Sequence, residues 1–107
     1  MPAPRQKVRW TREATRDVRE TWRYYARVAS ADVANKLILK LIEGGTRIEE
    51  RPFAWRARDD VAPGLRAIRV PPYSLYYRVL ATSAEVLRVL HERRDAVAVF
   101  RKTSDGD

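Results

Sequence analysis

The polar and apolar positions along the first thirty residues follow two different periods. Residues 7–10, Lys-Val-Arg-Trp, alternate and predict a short strand. Thr11 then offers a helix N-cap, and apolar residues recur beyond it at steps of three and four. This first stripe consists of Ala14, Val18, Trp22, Tyr25 and Ala29. The pattern predicts a short strand followed at once by an amphipathic helix.

A second helical stripe begins near Ala31. Its members are Ala34, Leu37, Ile38, Leu41, Ile42 and Ile48. Gly44 and Gly45 would together cost about 2 kcal/mol inside a helix, but Ile48 keeps the stripe and Pro52 supplies a later stop. We therefore predict a helix that continues through the glycines. Because only a few residues join the two helices, they should form an antiparallel hairpin.

Residues 51–64 are expected to form a loop, because proline, glycine and paired acidic residues interrupt any periodicity. Two aromatic residues in this segment, Phe53 and Trp55, are expected to be buried anchors that fold the loop onto the core. The alternative is that they form an exposed platform on which nucleobases stack.

The last third of the chain alternates as strands do. Runs at 65–70, 73–80 and 85–91 are joined by short turns and predict an antiparallel meander. Strict alternation in the third run places Val86, Arg88 and Leu90 on one side and Leu87, Val89 and His91 on the other. One face of the sheet would pack against the hairpin, and the other would be mixed and half-open. Residues 96–100 fit either a short helix or an edge strand.

These elements predict an α+β fold, in which an N-terminal short strand and an antiparallel helical hairpin pack on a three- to four-stranded antiparallel sheet. The length of 107 residues favours a single domain, 1–107, with a core at about 7–100 and a frayed tail at 101–107. The longest apolar stretch, 37–42, is too short to span a bilayer, and we identify no signal peptide. We therefore expect a cytoplasmic protein that does not bind a membrane.

The chain is strongly basic. Lys and Arg total 22 against 14 Asp and Glu, which gives a formal net charge of +8, and 18 of the 22 are arginine. Such an excess attracts nucleic acid, an acidic protein segment or an anionic surface, although it also keeps a small protein soluble. Arginines line the first helix opposite its apolar stripe, mixed with Glu13, Asp17 and Glu20, and we expect this whole face to be solvated. These arginines are Arg12, Arg16, Arg19, Arg23 and Arg27.

The residue types restrict the chemistry. The chain has no cysteine and one histidine, so we expect no disulfide, thiolate zinc site, thiol catalysis, other metal site or cofactor. The remaining polar theme is arginine on the predicted strands, with His91 at the end of the last one. One use of such a patch is RNA cleavage, with His91 transferring a proton and Arg66 and Arg78 stabilising the transition state. The others are binding of an acidic partner without chemistry, and a purely structural role for His91 among salt-bridged arginines.

Three sequence segments accompany this order of elements. They are Gly64-Leu65-Arg66, Tyr73-x-Leu75-x-Tyr77-Arg78-Val79 and Val89-Leu90-His91-x-Arg93-Arg94-Asp95. Together they resemble the RelE/ParE superfamily of bacterial type II toxins, most of all its ParE branch of plasmid stabilisation toxins. The resemblance implies a toxin neutralised by a cognate ParD-like antitoxin, whose acidic C-terminal segment wraps the toxin in a hetero-oligomer. It also implies that operator DNA is bound only through the antitoxin.

The same resemblance bears on the target. ParE toxins are understood to inhibit DNA gyrase, whereas RelE-type toxins cleave mRNA on the ribosome. RelE-type nucleases place an arginine directly after the tyrosine that opens the third strand, and a tyrosine in the C-terminal segment. Here Ser74 follows Tyr73, and Phe100 is the aromatic residue near the C-terminus, so both features are absent. The resemblance therefore implies a gyrase inhibitor that is not an enzyme.

Three alternatives stay open: a RelE-type ribosome-dependent mRNA endonuclease, a non-toxic basic nucleic-acid-binding module, and an inactive family member that only binds its antitoxin. The residues expected to bind the antitoxin are Trp22, Arg66, Arg69 and Arg78. Those expected to bind the target are His91, Arg93 and Arg94. No catalytic residue is expected, unless the endonuclease alternative holds, in which case His91, Arg66 and Arg78 would be catalytic.

Overall fold

The structure is a computed structural model that describes residues 7–105. Its elements are β1 (Lys7–Trp10), α1 (Arg12–Val28), α2 (Ala31–Glu50), β2 (Arg56–Ala57), β3 (Leu65–Val70), β4 (Tyr73–Val79), β5 (Ser83–His91) and α3 (Ala96–Asp105). The sheet has the order β1-β5-β4-β3-β2. β1 runs parallel to β5, and the other neighbours are antiparallel. The predicted α+β fold is confirmed, with a slightly larger sheet of five strands, because β1 joins it and two residues of the predicted loop form β2.

The helical hairpin forms as predicted. Thr11 Oγ1 accepts a hydrogen bond from the Ala14 N–H at 3.1 Å at the start of α1, and Ser30 Oγ accepts one from the Val33 N–H at 3.1 Å at the start of α2. Each hydroxyl satisfies an N–H that the first helical turn leaves without a partner. The hairpin then lays one face of both helices on the sheet.

Helix α2 continues through its two glycines, as predicted, because these glycines lie against the sheet. A Cβ atom on Gly44 would come within 2.8 Å of Val70 Cγ2, and one on Gly45 within 2.8 Å of Trp10 Cζ2. A side chain at either position would therefore require the helix or the neighbouring side chain of the sheet to move. The conformational cost of glycine in a helix is therefore offset by close packing at this point.

The main core lies between the hairpin and one sheet face, which we call the helical face. It contains Leu41 and Ile48 of α2 and Leu75, Tyr77 and Val86 of the sheet. These side chains are fully buried. Burial on this scale is the dominant stabilising term for a domain of this size.

The loop before β3 is held by one of the two predicted aromatic anchors. Trp55 packs against the main core, and its Nε1–H donates to the Arg47 carbonyl at 3.3 Å. The prediction of a buried Phe53 is wrong, since 65% of this residue is exposed. Its ring lies instead under the Arg66 guanidinium, whose Cζ is 5.3 Å from the ring centroid. This cation–π contact needs no burial.

The register between β4 and β5 shifts at a β-bulge. Tyr76 pairs with Arg88 and Tyr77 with Val86, so Leu87 is an extra residue on β5. The strict alternation predicted for β5 is therefore wrong: Val86 and Val89 both enter the main core, although they are three positions apart and strict alternation would put them on opposite faces.

The opposite sheet face, which we call the outer face, carries a second, smaller cluster. Leu65, Tyr76 and Leu90 are buried there under α3, with Ala96 buried and Phe100 partly buried. The expected half-open surface is thus partly covered. Residues 96–100 form a helix that runs on to Asp105, into the stretch expected to be a frayed tail; residues 106–107 lie outside the described residues. Between residues 7 and 105, no helix is long and apolar enough to cross a membrane.

Candidate functional site

The four residues expected to bind the antitoxin lie on three separate surfaces. Arg66 pairs with Tyr77, which places it on the helical face, whereas Arg69 pairs with Ser74 and therefore faces outward. Arg78 also lies on the outer face, since it follows Tyr77. Trp22 lies on α1, where its Nε1–H donates to Asn35 Oδ1 of α2 at 2.8 Å. The structure does not bring these four together into one patch.

Arg66 has a structural role that the sequence did not indicate. Its Nη1 donates to the carbonyl oxygens of Trp55 at 2.7 Å and Phe53 at 3.2 Å. These bonds tie the loop to β3, because carbonyls in a loop otherwise have only water as a partner. Arg69 is freer: its side chain is 71% exposed and pairs at 3.4 Å with Glu92, which is itself exposed. A contact of this kind contributes little to stability.

Arg78 lies beside a groove on the outer face, which we call the outer groove. Its apolar wall consists of Val61, Ala62, Pro63, Leu87 and Phe100. Arg78 and Arg101 stand at its rim, with Glu13 and Arg88 on the side nearest α1. The volume of the groove is about 360 Å³. Apolar walls under a mostly cationic rim suit an amphipathic segment that carries acidic side chains. Sequence reasoning identified Arg78 but not the walls of this groove, since the bulge turns Leu87 outward.

The three expected target-binding residues lie together at the end of β5. His91 Nδ1 accepts a hydrogen bond from the Arg93 N–H at 3.1 Å, and the imidazole packs edge-on against Tyr73, with ring centroids 5.2 Å apart. Arg93 and Arg94 are exposed. The result is a turn that presents two guanidinium groups to solvent beside a half-buried histidine.

A polar cleft of about 200 Å³ lies between this turn and α1. It is lined by His91 and Arg94 from the turn side and by Asp17, Glu20 and Tyr24 from α1. Tyr73 is also part of its lining, and burial of this phenol is the main reason that its pKa is raised to about 12. A neutral phenol with so high a pKa holds its proton at physiological pH.

An ion pair between α1 and β5 was missed in the sequence, where Asp17 was assigned to the solvated face. Asp17 is buried: its carboxylate accepts from Arg88 Nε at 2.7 Å, from Arg88 Nη2 at 3.0 Å and from the Val89 N–H at 2.9 Å. The hydrogen bonds that Arg88 donates to Asp17 raise the pKa of Arg88 above its ordinary value. The available signal was position, since Asp17 lies three residues after Ala14 and four before Thr21, and all three are buried.

The three residues that an endonuclease would use do not converge. His91 pairs with Tyr73, and Arg66 pairs with Tyr77 on the same face, about 13 Å further along β4. Arg78 lies on the opposite face. A general acid or base must reach the reacting group within hydrogen-bond distance, and these three side chains do not surround one position. In the described part of the chain, no three His, Asp or Glu side chains are grouped to hold a metal ion.

This fold, a sheet packed under a helical hairpin, has a counterpart among solved structures. The structure superposes with a TM-score of 0.74 on one described as the chromosomal ParDE TA system from P. aeruginosa, at 21% sequence identity and over 83% of this chain and 98% of that one. At this identity the match establishes the shared fold and nothing more.

Sequence comparison then gives the family. The family model for the ParE toxin of the type II toxin-antitoxin system parDE matches residues 8–96. Toxin ParE1 of Mycobacterium tuberculosis, from strain CDC 1551 / Oshkosh and from strain H37Rv, is 34% identical over 65 residues. That stretch is 60% of this chain and 66% of the relative, just under two thirds of its length. The chain belongs to the ParE toxin family, as the resemblance had predicted.

Proposed function

We propose that the chain is a toxin that inhibits DNA gyrase by binding to it, without breaking bonds, and that a ParD-like antitoxin neutralises it. The observation that carries this proposal is the match to the ParE toxin family over residues 8–96. The dispersal of His91, Arg66 and Arg78 supports the part of it that excludes catalysis. The operator sequence is recognised only through the antitoxin.

The outer groove is the proposed docking site for the acidic C-terminal segment of the antitoxin. A partly disordered segment that folds on binding needs apolar surface to bury and fixed charges to set its register. Leu87 and Phe100 supply the apolar surface, and Arg78 and Arg101 supply the fixed charges. Arg69 lies on the same sheet face, four pairing positions from Arg78, and extends the cationic surface along the strands.

The antitoxin site is tested with the product of an adjacent reading frame that is acidic toward its C-terminus. Arg78→Glu should weaken the complex at least tenfold by isothermal titration calorimetry, because it puts a like charge at the rim. Arg56→Glu, on an exposed residue of β2, makes the same charge change away from the groove and should bind normally. Equal weakening by the two variants would contradict the site.

The turn at His91, Arg93 and Arg94 is the proposed gyrase contact. Two exposed arginines next to an ordered histidine form a compact cationic surface, and arginine is favoured at interfaces because its planar group forms several hydrogen bonds. The groove and the turn are built by different residues, so the two partners need not compete for the same side chains.

A gyrase supercoiling assay with the purified chain tests the target. We expect loss of supercoiling activity, which Arg93→Ala/Arg94→Ala restores and Arg47→Ala/Arg51→Ala does not. RNA in a ribosome-containing extract should stay intact. Loss of mRNA that His91→Ala abolishes would instead establish a RelE-type endonuclease. Binding to nucleic acid with no toxicity in cells and no effect on gyrase would leave only a basic binding module.

A further inference from the structure

A row of arginines runs along the outward side of α1, and neither proposed site uses it. The row, which we call the cationic ridge, consists of Arg12, Arg16, Arg19, Arg23 and Arg27. At 3.6 residues per turn, all five lie within about 80° of the helix circumference and span about 22 Å along its axis. Every one of them is exposed.

The ridge lacks neutralising partners. The ion pairs among the described side chains join Arg58 to Asp60, Arg69 to Glu92 and Arg88 to Asp17, and none includes a ridge arginine. Asp17, the acidic residue of α1 that forms an ion pair with an arginine, is buried and faces the sheet. Glu13 and Glu20 flank the ridge, about 60° or more from its centre. Arg27 stacks on the Tyr24 ring at 5.9 Å, and among the described residues the other four guanidinium groups have no hydrogen bond, ion pair or ring contact.

The chemistry of the ridge identifies the class of its partner. An acidic protein segment that folds on a surface buries apolar side chains as well as charges, and the ridge offers no large apolar residue between its arginines. A surface that is predominantly cationic suits the regular charge of a phosphate backbone, where most of the affinity is electrostatic and independent of sequence. Guanidinium groups also hold phosphate oxygens in bidentate fashion.

We propose that the cationic ridge of α1 binds the phosphate backbone of double-stranded nucleic acid without reading its sequence. The helix fixes the spacing of the five Cα atoms, so binding has to order the arginine side chains but not the backbone. The inference goes beyond the proposed function, because it involves neither gyrase nor the antitoxin. Duplex binding can therefore be absent while gyrase inhibition is observed, and gyrase inhibition can be absent while duplex binding is observed.

The test is fluorescence anisotropy of the full chain with a labelled 20-base-pair DNA duplex, a duplex of scrambled sequence and an RNA duplex. Four phosphate contacts predict a slope of log K against log salt of about −3.6. We expect the two DNA sequences to bind equally, with Kd between about 10⁻⁶ and 10⁻⁴ M at physiological salt. The RNA arm identifies which duplex the ridge accepts.

The decisive variant is Arg16→Gln/Arg19→Gln/Arg23→Gln. It should weaken duplex binding about tenfold or more in low salt and bring the slope to about −0.9, since each lost phosphate contact removes about 0.9. Its helical circular dichroism should be unchanged, because the three side chains make no hydrogen bond or ion pair in the described part of the chain.

The matched control is Arg47→Gln/Arg51→Gln/Arg56→Gln, which removes the same charge from exposed positions around the end of α2 and β2. We expect it to keep the slope of the unaltered chain. Equal losses in the two triple variants would overturn the proposal, because binding would then depend on net charge alone. A Kd for the duplex weaker than about 10⁻⁴ M in 50 mM salt would also overturn the proposal. The same holds if the ridge arginines bind polyglutamate and the chain does not bind the duplex.

Discussion

Replacement of Asp17 by alanine is the most informative test of how this fold is held together. The substitution removes the acceptor of three hydrogen bonds, two from Arg88 and one from the Val89 N–H. The Arg88 side chain, which is only 22% exposed, then has no counter-charge for its guanidinium group. The buried Val89 N–H also loses its hydrogen-bond acceptor. Removing one member of a buried ion pair costs about 3–5 kcal/mol. We expect about 3 kcal/mol, because Arg88 also borders the outer groove and can turn toward water.

Urea unfolding followed by circular dichroism measures this loss. The total stability of a domain of this size is about 5–15 kcal/mol, so the variant should unfold at a markedly lower urea concentration with an unchanged slope. In thermal unfolding, about 3 kcal/mol corresponds to a Tm lower by about 12–24 °C. Asp17→Asn should lower the free energy of unfolding by less than Asp17→Ala, because its amide oxygen still accepts the hydrogen bond from the Val89 N–H.

The control is Glu43→Ala, which removes an exposed carboxylate from the middle of α2 and should change stability by less than about 0.5 kcal/mol. The double variant Asp17→Ala/Arg88→Met should recover part of the loss, since it leaves no unpaired charge. If Asp17→Ala costs less than about 1 kcal/mol, the ion pair does not fasten α1 to β5 and the reasoning is refuted.

Three further predictions concern the sheet and the loop. Burial raises the pKa of Tyr77 to about 12. The neutral phenol therefore stabilises the fold below about pH 10, and this contribution is lost as the pH rises through 12. Because phenylalanine does not ionise, Tyr77→Phe should show a smaller fall in Tm between pH 10 and 12. Gly44→Val should cost about 1–3 kcal/mol in urea unfolding, because the new side chain overlaps Val70, whereas Thr46→Val on the exposed side should cost far less. Arg66→Met should speed proteolytic cleavage in the loop at 51–64 without weakening antitoxin binding; unchanged cleavage with weaker binding would reverse that assignment.

The hairpin was predictable because its signals are local. Hydroxyl caps at Thr11 and Ser30 and a 3.6-residue period fix both helices within their own sequence. The meander was predictable for the same reason, from its alternation and its turns.

What sequence reasoning missed depends on contacts between distant residues. Asp17 looks like any acidic residue of a charged helix until Arg88 lies beside it. The bulge at Leu87 leaves no local signal, because one extra residue only reverses the phase of an alternating pattern. The same limit applies to the candidate site. The sequence indicated that the arginines form a group of candidates. Which of them can bind a partner depends on the loop carbonyls that hold Arg66 and on the sheet face that carries Arg69 and Arg78.

The parallel pairing of β1 with β5 has a consequence for synthesis on the ribosome. The first strand emerges with the hairpin, but its hydrogen-bonding partner at Ser83–Val86 is made more than seventy residues later. At bacterial elongation rates that interval is about 4–14 s. Until Arg88 is made, Asp17 lacks its ion-pair partner, and until β5 is made, β1 has no strand to pair with. The turn at His91, Arg93 and Arg94, the proposed target contact, is therefore made after the hairpin and after the first four strands of the sheet.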